Sequence, residues 1–322
     1  METTTHPQPK TLMEAVRYFA DADRTLAMAV SLRWPEGVHC PTCGRTDVRF
    51  LATRRIWECK EKHAKRQFSA KVGTIFEDSA LPLDKWFVAI WSVANCKNGI
   101  SSYELARAVG CTQKSAWFML HRIRVAMDAG GLGKFGGTVE ADETFIGGSV
   151  SNMHEHKRKK LNSGGRGDDK AAVMGILQRA DGKVPSRVLA RTIRSATAKT
   201  LHSMVRENVE AGSQLMTDNW TGYRGLGAEY IHQTVNHSVE YVRGNVHSNG
   251  IENFWSLLKR TVKGTYVSVD PQHLNAYLAE QTFRFNERKG TDLTRFRAVL
   301  GSVSGKRLTY KELTSHAISA AF

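Results

Sequence analysis

Three acidic residues between positions 142 and 252 have the types and positions expected of a metal site. Asp142 lies within a predicted strand (TVEADETF), Asp218 ends a second one (SQLMTD), and Glu252 lies near the start of a predicted helix. In α/β sheets, reactive groups gather at the carboxyl ends of strands. Carboxylate oxygens suit hard divalent cations, and two such ions about 4 Å apart activate an attacking hydroxyl in phosphoryl transfer. We therefore predict that these three carboxylates bind Mg²⁺ or Mn²⁺.

The segment from His247 to Tyr266 predicts the helix that carries Glu252. Its apolar residues recur at steps of three and four and so form one buried face. Glu252, Lys259 and Lys263 lie on a second strip beside that face, where Lys259 can touch a phosphate near the metals and Lys263 can contact DNA. On an isolated helix, the same charged residues would fit an ordinary solvated face. The assignment therefore depends on the other acids.

A group of cysteines nearer the N-terminus has the spacing of a zinc ribbon. Cys40 and Cys43 form a C-x2-C knuckle, and Cys59 with His63 supplies a second pair after a predicted hairpin. Four such ligands close a tetrahedron around Zn²⁺ and stabilise a domain whose apolar core is too small to fold alone. Because C-x2-C is the commoner second pair, His63 also fits a surface histidine in a lysine-rich stretch. We predict it as the fourth zinc ligand.

Composition narrows the class of protein. No apolar run in the 322 residues approaches the roughly 18 that a bilayer span requires, and the start lacks an apolar signal segment. We therefore expect a cytoplasmic protein without membrane contact. The formal charge of +15 and the pI near 9.7 indicate a polyanionic partner, and nucleic acid fits best.

Two basic regions are predicted to meet that nucleic acid. A helix, a turn at Gly110–Thr112 and a second helix have the outline of a helix-turn-helix, although an ordinary helical hairpin looks the same. A later charge run fits either a solvated loop or an arm that orders on phosphates, and we favour the arm. The predicted DNA-binding residues in these regions are Gln113, Lys114, Arg122, Lys157, Arg158, Lys159 and Lys160.

The glycine-rich segment 129–137 is the best domain boundary. Beyond it, the predicted order β-β-β-α-β-(β)-α indicates a mixed sheet with helices packed on it, an α/β fold. The predicted parts are an N-terminal helical segment (1–37), a zinc ribbon (38–80), a helix-turn-helix-like DNA-binding region (81–130), a catalytic domain (131–290) and a basic C-terminal segment (291–322).

Several motifs together resemble one family. TVEADETFIGG, LMTDNWTGY and HSNGIENFWSLLKRTVKGTY, preceded by CPTCG and RQFSAKVGTIFE, resemble bacterial insertion-sequence transposases of the DDE type, in the ISXO-like class. The resemblance runs from about residue 13 to about residue 290 and implies a zinc ribbon followed by an RNase H-like catalytic domain. It implies that Asp142, Asp218 and Glu252 are the metal-binding triad, followed by the basic residue Lys259. The 33 residues between Asp218 and Glu252 are similar to the spacing in DDE recombinases.

The resemblance also implies a reaction and partners. Element ends are nicked by hydrolysis, and the freed 3′ hydroxyl then attacks target DNA. The partners would be double-stranded DNA, namely the terminal inverted repeats and the target, and further copies of the chain in a homo-oligomer on paired ends. Such a protein would be bacterial and nucleoid-associated when bound to DNA.

Individual ligands stay open at this point. Alternation places Glu140 on the same strand face as Asp142 and Glu143 on the opposite face. Members of the class can carry asparagine as the third ligand, and Asn249 lies one turn before Glu252. We favour Glu252 because a carboxylate binds a hard cation better than an amide does.

Other functions and roles also fit the sequence. One is a non-catalytic zinc-ribbon and helix-turn-helix DNA-binding regulator, and another is an RNase H-like nuclease without joining activity. Beside Asp218, the residues Asn219, Trp220 and Tyr223 fit active-site shaping or base stacking as well as helix capping and core packing.

Overall fold

The computed structural model describes residues 7–128, 133–147, 170–182, 184–235 and 246–315. These residues divide into two compact units. The first unit joins the residues up to Asp128 with Lys289–Ser315, and the second contains the residues from 129 to Arg288.

The first unit begins with two short helices, α1 (Leu12–Phe19) and α2 (Ala22–Arg33). Asp21 separates them because its Oδ1 accepts hydrogen bonds from the backbone N–H groups of Asp23 and Arg24, each at 3.0 Å. Such a side chain satisfies donors that the first turn of a helix leaves unpaired.

A small antiparallel sheet follows in the order β1 (Val48–Leu51), β2 (Ile56–Cys59) and β3 (Gln67–Phe68). Its apolar support is aromatic. The Trp57 ring lies 5.8 Å from the Trp34 ring and 6.2 Å from the Phe68 ring, measured between centroids. So few buried side chains make a core that needs additional stabilisation.

Three helices complete this part of the first unit. α4 (Ser102–Val109) starts with a capping box formed by Ser101 and Glu104, and it ends at Gly110, whose φ of 62° favours glycine. Thr112 then caps the next helix by accepting from the N–H of Ser115. The predicted helix, turn and helix are therefore present. The helices are α3 (Leu83–Asn95), α4 (Ser102–Val109) and α5 (Gln113–Met127).

The second unit is built on a five-stranded mixed sheet. Three antiparallel strands form a meander, and two further strands run parallel to the first of them. This is the mixed α/β sheet that the sequence predicts. The strands are β4 (Thr138–Ile146), β5 (Ala171–Gln178), β6 (Arg187–Ile193), β7 (Gln214–Asp218) and β8 (Ile231–Val235), arranged β6-β5-β4-β7-β8.

Helices cover both faces of this sheet. One face, called the α6 face, packs Val139 and Ala141 against α6 (Ala198–Asn208). The other, called the α7 face, packs Val173 and Leu177 against two helices. Alternating strand residues thus supply two separate apolar cores. The helices on the α7 face are α7 (Asn249–Thr261) and α8 (Leu274–Asn286).

The chain then returns to the first unit with α9 (Asp292–Gly301) and α10 (Tyr310–Thr314). Phe296 of α9 packs at ring-centroid distances of 5.1 Å from Phe19 and 5.6 Å from Phe87. The residues predicted as a separate basic tail thus contribute, as far as Ser315, to the apolar core of the first unit. Within the described ranges, no helix combines the length and the apolar character that a bilayer span needs.

Candidate active site and zinc centre

Two of the predicted acidic ligands lie on neighbouring parallel strands. The ladder between β4 and β7 pairs Thr138 with Gln214 and Glu140 with Met216. The same offset places Asp142 at the level of Asp218, one strand away. Because residues in step on parallel strands point to the same side of a sheet, both belong to the α7 face.

α7 docks on that face directly over Asp142. The indole Nε1 of Trp255 donates a hydrogen bond to Asp142 Oδ2 at 2.9 Å. Gly175 lies opposite Asp142 on β5, and a Cβ there would come within 2.6 Å of the Trp255 ring and 2.7 Å of the Ile251 side chain. The glycine is therefore what allows the helix to approach the sheet so closely.

Glu140, the other acid on this strand face, holds the start of α7. Its side chain is only 1% exposed and accepts from the backbone N–H of Ile251 at 2.8 Å and from Arg179 Nε at 2.6 Å. A carboxylate at a helix N-terminus satisfies unpaired N–H groups and the helix dipole. A Cβ on Gly250 would stand 2.8 Å from a Glu140 oxygen, so only glycine fits that position without a shift.

Glu252 lies half-buried in the first turn of α7 and accepts from the hydroxyl of Ser248 at 2.7 Å. The structure thus puts Asp142 and Asp218 side by side and fixes the helix of Glu252 over Asp142. Among the described residues, however, the three carboxylates do not form a set with oxygens within 4.8 Å of one another. Lys259 and Lys263 lie farther along and are exposed.

The neighbouring carboxylates of Asp142, Glu143 and Asp218 make ionisation of one another less favourable. Burial, then the neighbouring charge of Glu143, and also that of Asp218, raise the pKa of Asp142 to about 7, against the hydrogen bond from Trp255. Burial is also the main reason why the pKa of Glu143 is raised, with Asp218 contributing. A site that combines burial with like charges favours a cation among them.

Glu143 and Tyr223 form a contact that the sequence did not single out. The Tyr223 hydroxyl donates to Glu143 Oε2 at 2.6 Å, and the tyrosine is buried in the core on the α6 face. Glu143 therefore points away from the α7 face, as alternation predicts. The only sequence signal was the position of Tyr223 just after Asp218, which fitted core packing equally well.

The four predicted zinc ligands come together in the first unit. The thiol and imidazole ligand atoms of Cys40, Cys43, Cys59 and His63 all lie within 4.8 Å of one another. Cys40 Sγ is 3.4 Å from His63 Nε2, and Cys43 Sγ is 3.6 Å from Cys59 Sγ. These separations fit a tetrahedron with zinc bonds of about 2.0–2.3 Å.

The local backbone favours a thiolate in this cluster. Burial raises the pKa of Cys40, but hydrogen bonds from the backbone N–H groups of Cys43 and Thr42 outweigh it and lower that pKa to about 7. Thiolate is the form that binds zinc. The cysteine and histidine set is thus suited to the metal that the spacing predicts.

The predicted DNA-binding residues are placed unevenly. At the start of α5, Lys114 is exposed with its Nζ 4.8 Å over the Tyr310 ring, and Gln113 donates to the Ser102 hydroxyl. The prediction for Arg122 is wrong, since its side chain is 4% exposed. Its guanidinium donates to three backbone carbonyls inside the first unit, which are those of Ile75, Glu77 and Leu308.

The charge run lies outside the described residues, and so do its four predicted DNA contacts, Lys157, Arg158, Lys159 and Lys160. Of the basic residues predicted to meet DNA, the structure therefore exposes Lys114 and Lys263 and buries Arg122.

Two regions of the chain match known families. Residues 134–286 match the ISXO2-like transposase domain, and residues 21–64 match the transposase zinc-ribbon domain. A protein of Halobacterium salinarum, described as an uncharacterized protein in transposable element ISH50, is 26% identical over 281 residues. That similarity covers 83% of this chain and 91% of the relative. The chain therefore belongs to the DNA transposases of insertion sequences, with an ISXO2-like transposase domain behind a transposase zinc ribbon.

Proposed function

We propose that Asp142, Asp218 and Glu252 bind Mg²⁺ or Mn²⁺, and that the transposase cuts DNA at the ends of its element and joins the 3′ ends to target DNA. The observation that carries this proposal is the placement of Asp142 and Asp218 in step on β4 and β7, under the helix that bears Glu252.

The donor set suits a hard cation. All three side chains offer oxygen, which Mg²⁺ prefers, and the raised pKa of Asp142 reflects crowded negative charge that a cation would relieve. When bound, such ions polarise the attacking water or hydroxyl and stabilise the leaving oxygen.

The protein's own part is to hold these carboxylates in place. The indole of Trp255 orients Asp142, and the backbone N–H of Trp220 donates to Asp218 Oδ1 at 3.0 Å. The hydroxyl of Ser248 holds Glu252 on the helix that Glu140 anchors. Rigid support of this kind keeps reacting groups in position for an in-line attack.

Basic residues supply the DNA contacts in this proposal. The exposed Lys259 and Lys263 follow Glu252 along the same helical stretch, and Lys114 marks the exposed start of α5. Neutralising backbone phosphates supplies most of the sequence-independent affinity of such proteins. Joining two element ends further calls for a homo-oligomer on paired ends.

The test is incubation of the full-length protein with labelled element-end DNA and Mg²⁺. We expect wild type to nick the end and produce strand-transfer product, and Asp218→Asn to cleave on the order of a thousandfold more slowly, since a metal contributes several kcal/mol of charge stabilisation. The control Glu207→Gln, which changes an exposed acid on α6, should cleave like wild type.

Each alternative gives a different product. Wild-type cleavage without strand-transfer product would identify a nuclease, and DNA binding without cleavage a regulator. Full activity of Asp218→Asn would remove the proposed metal site.

A further inference from the structure

Trp220 is an exposed indole at the edge of the proposed active site. The chain has seven tryptophans, all within the described ranges, and Trp220 is the one that is exposed, at 49%. A single exposed apolar residue is common on protein surfaces and needs no explanation by itself. The position of this one, two residues after Asp218, is what sets it apart.

The turn that carries Trp220 is held at both ends. At its start, the Trp220 backbone N–H donates to Asp218 Oδ1. At its end, Tyr223 is fully buried and donates to Glu143. The indole is thus carried by a turn tied to two carboxylates at the carboxyl edge of the sheet.

The indole itself rests on Gly222. A Cβ at that position would lie 2.7 Å from Trp220 Nε1 and 2.8 Å from its Cδ1. Only a residue without a side chain therefore leaves room for the ring where it stands. The ring is therefore supported on one side, while the residue as a whole is 49% exposed.

We propose that Trp220 stacks on a nucleobase next to the phosphate that this transposase attacks. This inference rests on the proposed function, because it takes Asp218 as the residue that marks the scissile phosphate. An aromatic face binds any base, since every base presents a π-face, and the contact is independent of hydrogen-bonding pattern. A preordered ring also loses little conformational entropy when a base packs on it. The ligand is therefore a base displaced from the duplex at the element end.

The first test uses fluorescence. Element-end DNA carries 2-aminopurine at single positions flanking the cut site, with Ca²⁺ in place of Mg²⁺ so that binding is observed without cleavage. We expect wild type and Trp220→Phe to quench the probe at one flanking position, and Trp220→Leu to leave it bright. Equal quenching by wild type and Trp220→Leu at every position would overturn the proposal.

The second test uses cleavage of normal and abasic DNA in Mg²⁺. Because one stacked base contributes a measurable part of binding, Trp220→Leu should cleave normal DNA on the order of tenfold more slowly, with Trp220→Phe close to wild type. When the stacked base is replaced by an abasic site, wild type and Trp220→Leu should cleave at the same rate. A difference that persists on abasic DNA would show that Trp220 only shapes the turn.

Controls separate this inference from folding and from the proposed function. Ile231→Ala removes another exposed apolar side chain, 56% exposed at the opposite edge of the sheet, and should change neither readout. Circular dichroism checks that Trp220→Leu is folded. Asp218→Asn should quench like wild type without cleaving. If wild type fails to cleave, the proposed function fails. If wild type cleaves, and Trp220→Leu quenches the probe and cleaves DNA as wild type does, only the base contact is refuted.

Discussion

The two units arrange their proposed metal-ligand side chains differently. In the first unit, Cys40, Cys43, Cys59 and His63 already stand within 4.8 Å of one another. In the second unit, Asp142, Asp218 and Glu252 lie on three separate elements, and their oxygens do not form such a set. Neutral thiols and a neutral imidazole can lie close together because they carry no net charge. Ionised carboxylates repel one another unless a cation is present.

The difference also concerns what holds each region together. Cys40 and His63 are only 23 positions apart, and the ribbon that contains them has a small aromatic core. The acidic region instead has two full cores, and its helix is fixed by contacts such as Trp255 to Asp142, 113 positions apart. The first site has the ligand set of a closed structural zinc centre, whereas the metal site proposed for the second unit would need open positions for catalysis.

Of the changes that distinguish the two units, zinc removal should have the largest effect on folding. Structural zinc binding contributes about 10–16 kcal/mol to small domains of this kind, so a chelator should unfold the ribbon and leave the second unit folded. Zinc analysis together with near-ultraviolet circular dichroism from Trp34 and Trp57 measures the outcome.

His63→Ala sharpens that experiment. We expect it to lose zinc and the dichroic signal, while His39→Ala, at an exposed histidine close by, retains its zinc. Wild-type zinc content in His63→Ala would mean that the fourth ligand is a different group.

Much of both regions was predictable because it depends on local patterns. Ligand spacing located the ribbon, and strand alternation placed Glu140 with Asp142 on one face and Glu143 on the other. Apolar steps of three and four located α7 and its buried residues, among them Trp255. Each of these patterns involves residues that are close together in the chain, so it can be recognised in a single sequence.

What the sequence could not supply are pairings between distant positions. Arg122 reads as a basic residue on a helix, yet its carbonyl partners Ile75 and Leu308 lie 47 and 186 positions away. The anchoring of Ile251 by Glu140 spans 111 positions. Burial of a charged side chain depends on such partners, and the periodicity of the sequence does not predict them.

Glu140→Ala should have the next largest effect and act only on the second unit. It removes the carboxylate that accepts from Arg179, whose side chain is 19% exposed, and from the first turn of α7. Breaking one half of a buried ion pair costs about 3–5 kcal/mol in free energy of unfolding. Urea unfolding and hydrogen exchange in α7 measure it.

A matched control removes an exposed ion pair in the same unit. Glu229→Ala breaks the contact with Arg206, where both side chains are well exposed, and should change stability little. Equal effects of Glu140→Ala and Glu229→Ala would show that the buried pair does not anchor α7.

Trp255→Phe should have the smallest effect on stability and the most specific one on activity. Phenylalanine keeps an aromatic ring over Gly175 but cannot donate to Asp142, and a buried acceptor left without its donor costs about 1–3 kcal/mol. Trp86→Phe is the matched control, since it removes an indole bond to the Ser79 hydroxyl in the first unit. Both variants should lose similar stability, but only Trp255→Phe should slow cleavage of element-end DNA. If Trp255→Phe cleaves as fast as Trp86→Phe, the indole is a packing residue alone, and the acidic site owes its order to the bound cation rather than to the helix above it.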